Sequence, residues 1–179
     1  LGDVYKRQGI VRRIDDLGRI VIPKEIRRTL RIREGESLEI FVDREMIALK
    51  KFSKMTDMDE ISKQLVDIVN SVIQQNVFIT DRDNFIAGSG SLRKKYLNKP
   101  ISKSLELIMK DRTTIVEHSL HEIELLDSET EKYAYVVSPV IMNGDAIGLV
   151  VIISEQGIGQ VEEKMADVMS KFLGKHIEE

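Results

Sequence analysis

The chain contains no cysteine and no tryptophan, only three prolines, and few aromatic rings, five Phe and four Tyr. Without cysteine, disulfides, thiolate metal sites and cysteine nucleophiles are excluded. Long apolar runs are missing too. The longest, such as Leu149 to Ile153, are far too short for a helix that crosses a bilayer, so no membrane partner is expected. No secretory leader pattern opens the sequence, which predicts a cytoplasmic or nucleoid location. Residues 1–8 begin without methionine and read as a fragment or artefact of little functional weight.

What the sequence does have is charge, unevenly placed. Residues 9–33 carry Arg12, Arg13, Arg19, Lys24, Arg27, Arg28, Arg31 and Arg33 against Asp15, Asp16 and Glu25, a net +5. The next sixteen residues reverse the sign, with Glu34, Glu36, Glu39, Asp43 and Glu45 against Arg44. Residues 1–51 sum to +4 and residues 52–179 to −7, so the overall −3 averages two unlike parts. Two domains are therefore expected, over residues 9–52 and 57–179, joined where the sign changes near Lys50 to Thr56.

In the first domain, Ile10 and Val11 begin a strand that ends at Asp15-Asp16-Leu17-Gly18, where glycine suits a turn. A second strand, Arg19 to Ile22, stops at Pro23, and proline suits a helix start, so Lys24 to Leu30 should make two helical turns. After Glu34-Gly35-Glu36, Leu38, Ile40 and Val42 alternate with polar or aromatic neighbours. Beyond the turn at Asp43-Arg44-Glu45, Ile47 and Leu49 mark a returning strand. The order is ββαββ. About forty residues so arranged have too little interior, because ordering each costs about 1.5 kcal/mol against ~25 cal/mol per Å² of apolar burial. A dimer that merges two aliphatic faces follows, and its two-fold symmetry doubles every arginine.

The run from Gly9 to Pro23, with Glu25 to Leu30 and Leu38 to Asp43, resembles the swapped-hairpin DNA-binding domain of the AbrB family. The resemblance implies a dimeric, swapped-hairpin β-barrel of two interlaced chains that binds double-stranded DNA. The family's DNA-contacting arginines correspond to Arg12, Arg19, Arg27 and Arg28, while Arg13 stands where another basic residue is common. Lys24 is a candidate phosphate contact. In place of the family's methionine start and short lysine-containing arm stand residues 1–8. The competing reading is that these cations merely solvate a small surface, and that Arg13 and Arg31 pair with Asp15, Asp16 or Glu34. Eight bases in twenty-five residues exceed that need, and a guanidinium fork suits phosphates and guanine edges.

The second domain begins with a predicted helix from Asp57 to Gln74, where Ile61, Leu65, Ile68, Val69, Val72 and Ile73 recur at helical spacing. Val161, Met165, Val168, Met169, Phe172 and Leu173 repeat the same offsets near the end. The two helices should pack together on one side of a sheet, and their counterparts from other copies could complete a bundle, giving a homotetramer. Between them, Val77 to Thr80 and Phe85 to Ala87 flank a polar turn, and Leu105 to Met109 reads as a short helix. Tyr133 to Val137, Pro139 to Met142 and Ala146 to Ile153 read as strands around Asn143-Gly144-Asp145. The pattern alone describes a small α+β domain. The whole chain resembles regulators of spore-forming Firmicutes that carry a GAF-like domain after the AbrB-type one, and this resemblance supplies the GAF name.

Ligand features in the second domain are weaker. Gly88-Ser89-Gly90-Ser91, with Arg93, Lys94 and Lys95 nearby, offers donors to an anion, though a loop before a helix explains it equally well. Phe85, Tyr96, Tyr133 and Tyr135 could line a pocket or fill a core. His118 and His121, beside Glu117, Glu122 and Glu124, lack a third ligand for a metal. His176 lies in the polar part of the last helix. No nucleophile and base are paired, so no enzyme, cofactor or metal is expected.

The sequence thus points to a transcriptional regulator. Implied by the resemblance are sporulation genes as targets, activation and repression, a forespore setting, and a small-molecule effector acting through the second domain. The alternative is a transition-state or antitoxin-like repressor whose second domain only assembles the protein.

Overall fold

The computed structural model describes residues 9–53, 55 and 58–178. Residues 1–8 and the expected helix start at Asp57 lie outside these described residues. Between Phe52 and Ser53 the chain divides into two compact units.

In the first unit Pro23, with φ fixed at −55°, precedes helix α1 (Lys24–Thr29), and its carbonyl accepts from the Arg27 amide at 3.0 Å. The chain leaves the helix through Arg31, whose φ of 52° is left-handed. Strands β1 (Leu38–Asp43) and β2 (Met46–Lys51) form an antiparallel hairpin closed by Asp43 opposite Met46.

The two strands expected before α1 do not form within one chain. Residues 10–14 and 19–22 form no ladder, and the backbone bonding between the two segments is confined to the turn between them. A strand needs a hydrogen-bonded neighbour along its length, and an isolated hairpin is marginal in water. The observed order in a single chain is therefore αββ. The aliphatic side chains follow suit. Val11 is 86% exposed, Val42 76% and Ile47 68%, and no residue of α1 is buried.

The second unit is a five-stranded antiparallel sheet covered on both faces. Helix α2 (Asp59–Ile73) leads into β3 (Asn76–Thr80) and β4 (Phe85–Ser89), followed by the short helices α3 (Arg93–Tyr96) and α4 (Lys103–Asp111). Strands β5 (Ile115–Leu126), β6 (Glu129–Met142) and β7 (Asp145–Ser154) precede the long helix α5 (Gln160–Glu178). The sheet order is β4-β3-β7-β6-β5. Successive strand residues alternate between faces. Val77, Ile79, Val136, Val150 and Ile152 pack with Val66 and Val69 of α2 and with Ala166, Met169 and Leu173 of α5. Phe78, Tyr133, Val137, Leu149, Val151 and Ile153 pack against Tyr96, Leu105 and Met109 of α3 and α4.

The expected pairing of the two long helices on one sheet face is present. Two details differ. Tyr133 to Val137 and Pro139 to Met142 are one strand, with the irregularity taken up between Val140 and Ile141. Strand β5 does not follow from the sequence pattern, because its residues 118–122 are exposed and include His, Ser and Glu, obscuring the alternation. Two glycines make the close approaches possible. A Cβ on Gly148 of β7 would sit 2.1 Å from the Thr80 carbonyl oxygen of β3, and one on Gly174 of α5 would sit 2.3 Å from that of Ile141.

Candidate nucleic-acid interface

The basic side chains of the first unit come from two places. Arg12, Arg13 and Arg19 flank the Asp15–Gly18 turn, whereas Lys24, Arg27 and Arg28 lie on α1 at spacings of three and four, which gather them on one helix side. All six residues are exposed. Their surroundings separate them from their neighbours. Arg33 Nη1 donates to Glu36 Oε1 at 2.9 Å, and the Arg31 carbonyl accepts from Lys51 Nζ at 3.0 Å, tying both residues into the unit. Arg12, Arg13, Lys24, Arg27 and Arg28 have no acidic partner among the described residues. Arg12 makes one long contact, Nη1 to the Val11 carbonyl at 3.4 Å. The expected pairing of Arg13 with Asp15 or Asp16 is thus not formed among them.

Arg19 differs. Its Nε donates to Asp15 Oδ2 at 2.7 Å, while Asp15 Oδ1 accepts from the backbone amides of Arg19 at 2.8 Å and Leu17 at 3.0 Å. The Asp15 amide in turn donates to the Arg19 carbonyl at 3.0 Å, and Gly18, with φ 76°, donates to the Asp15 carbonyl. The Arg19 amide, followed by its guanidinium, holds the Asp15 carboxyl below its ordinary value of 3.8. From the sequence Asp15 reads only as a turn residue and a counter-ion for Arg13. Its spacing to Gly18 is the signal that could have found it, since an Asp three residues before a glycine suits a side-chain-closed turn.

In the second unit the weaker candidates resolve into packing. Gly88 lies against the Phe78 ring, and Gly90, with φ 115°, against Asn76. Gly88 and Ser89 end β4, and Asn76 Oδ1 accepts from the Leu92 amide at 2.8 Å, so the Gly88–Ser91 segment is fixed from within. Lys95 is ion-paired with Glu131. Phe78, Phe85 and Tyr96 meet with ring centroids 5.5 to 5.7 Å apart, and the Tyr96 and Tyr133 hydroxyls are 3.0 Å apart. Burial, then the Tyr133 hydroxyl, pushes the Tyr96 phenol well above its usual range. His118 Nε2 reaches Glu163 Oε1 of α5 at 3.0 Å, whereas His121 Nδ1 lies 3.4 Å from Glu117 on its own strand. Among the described residues no three His, Asp or Glu side chains gather as a metal site would require. His176 stacks on Phe172.

Residues 57–178 match the family described as stage V sporulation protein T C-terminal, transcription factor. The chain belongs to this family. It is 47% identical to stage V sporulation protein T of Bacillus subtilis, across 97% of this chain and 99% of that one. Residues 11–55 match a second family, the antidote-toxin recognition MazE antitoxins. Over 47 residues, 26% of this chain and 49% of its relative, it is 62% identical to the transition state regulatory protein AbrB of the same organism. The GAF domain of a phosphoenolpyruvate-protein phosphotransferase from Coxiella burnetii has a TM-score of 0.53 at 15% identity, covering 67% of this chain and 82% of that one. That likeness establishes a GAF-like fold and no more. This member of the stage V sporulation protein T family is thus a transcription factor with an AbrB-like DNA-binding domain followed by a GAF-like unit.

Proposed function

We propose that two copies of the leading domain interlace their hairpins and bind duplex DNA through Arg12, Arg13, Arg19, Lys24, Arg27 and Arg28. The protein regulates sporulation genes, activating some promoters and repressing others, at the forespore nucleoid. One observation carries this reading. Five cations without acidic partners among the described residues share a small unit with aliphatic side chains left uncovered in a single chain. Pairing two copies covers the aliphatic faces and gives residues 10–14 and 19–22 their missing strand neighbours, while the cations are presented twice.

The second unit joins dimers into a tetramer. Toward the sheet, α2 and α5 bury Val66, Val69, Ala166, Met169 and Leu173. Ile61, Leu65, Ile68 and Val72 recur at steps of four, three and four, and so do Val161, Met165, Val168 and Phe172; Ile61, Leu65 and Met165 pack half-buried at the edge of that core, while Ile68, Val72, Val161, Val168 and Phe172 are exposed. This spacing is that of a helix-bundle seam. An effector that prefers one arrangement of the second units would alter DNA binding through its differential affinity. The fully buried cluster of Phe78, Phe85 and Tyr96 supports the second reading, in which this unit only assembles the protein.

Fluorescence anisotropy of the full chain with labelled duplexes across a salt series tests the DNA contacts. Arg28→Ala should weaken binding to all duplexes and lower the slope of log affinity against log salt by about one for each phosphate it no longer neutralises. Retention of wild-type affinity after joint replacement of Arg12, Arg19, Arg27 and Arg28 by Ala would overturn the reading.

A further inference from the structure

We propose that Asp15 is a specificity-determining residue that acts through Arg19. It holds the guanidinium in one orientation, so that the two terminal amino groups read a base edge. The inference rests on the DNA-binding reading above and deepens it.

The geometry is a closed hub. One oxygen of Asp15 is fixed by the Leu17 and Arg19 amides, which leaves the other at a defined place, 2.7 Å from Arg19 Nε. An exposed ion pair between two mobile side chains gains little, because ordering both offsets the attraction. Here the carboxylate is already ordered by the backbone, so only the arginine has to be restrained. Among the described residues Nε is the sole nitrogen of the Arg19 guanidinium with a protein acceptor. The side chain is 73% exposed. With Nε–H engaged, a side-on approach through Nε is closed, and the end-on fork of both Nη groups remains for two adjacent acceptors. Guanine O6 and N7 present such a pair in the major groove.

The carboxylate has a second effect. It places a negative charge beside the arginine, which disfavours phosphate contact at that spot regardless of sequence. The two effects act on different observables. Removing the charge while keeping the turn should strengthen binding to arbitrary duplexes and weaken the preference for the right one. A residue that served the turn alone would move neither quantity once the fold is kept.

Asp15→Asn keeps an oxygen for the two amides and loses the charge on Nε. The full chain selects a preferred duplex from a random library, and its affinity for that duplex is compared with that for a shuffled one of equal length. For Asp15→Asn the discrimination ratio should fall by about tenfold, the size of one good base contact, and affinity for the shuffled duplex should hold or rise. Arg19→Ala should lose as much discrimination, and the double variant no more than Arg19→Ala alone. Full discrimination in Asp15→Asn beside a loss in Arg19→Ala overturns the role of Asp15 and leaves the DNA reading standing. Full discrimination in Arg19→Ala removes Arg19 from base reading and takes the proposal with it. A wild-type measurement guards against an unfolded variant. The Arg19 Nε–H resonance should stay protected from exchange in the free protein and in its complex with the preferred duplex, and rapid exchange in both would overturn the proposal.

Discussion

At the scale of single residues, the leading unit is organised by acids more than by its many arginines. Asp15 closes the first turn, and Glu36, its side chain only 7% exposed, receives Arg33 and lies 3.7 Å from Lys51. Because the Asp15 pKa is lower in the folded chain, its contribution is present above the unfolded value of 3.8 and is lost as pH falls through the folded value. A carboxyl-carbon NMR titration should therefore place the Asp15 midpoint below the ordinary aspartate value of 3.8, and Arg19→Ala should move it upward. The cations themselves were legible in the sequence, since charge is visible without a fold. Which of them are tied up was not. Arg33 and Arg13 look alike in the sequence, and only the loop after α1 places Glu36 beside the former.

At the scale of elements, the legible parts were those whose burial follows a period. Helices α2 and α5 repeat their apolar residues at helical offsets, and β7 is buried along nearly its whole length. Strand β5 was illegible for the opposite reason. It lies at the sheet edge, where exposed polar and charged side chains are favoured and the alternation is lost. The close approach of β7 to β3 yields a specific expectation. Gly148→Ala places a methyl group against a backbone oxygen that cannot rotate away, so urea unfolding of the second unit should lose about 1–3 kcal/mol. The outer stripe on α2 and α5 yields another. Val72 is 66% exposed and Val168 61%, so Val72→Lys with Val168→Lys should leave the unit's own unfolding midpoint nearly unchanged. Sedimentation velocity should show the same variant shifted from tetramer to dimer.

At the scale of the whole molecule, the two units differ in what one chain can accomplish. The second has a core on each face of its sheet, with Phe78, Val136, Leu149 and Ile152 fully buried. The first buries no residue of α1 and leaves both faces of its hairpin largely open. A peptide of residues 9–52 should therefore melt at a temperature that rises with concentration, whereas residues 53–179 carrying the two lysine substitutions should melt at a fixed one. A concentration-independent transition for the short peptide would remove the interlaced dimer. An unfinished leading unit also sets how the regulator responds to its own abundance. If the proposed dimer forms before it binds its operator, occupancy at low copy number should climb more steeply than protein level, turning a gradual rise in expression into a sharper onset of control. If the trailing units associate as proposed, they would counter this by keeping a prospective mate within reach, and weakening that tether should restore the steep dose response.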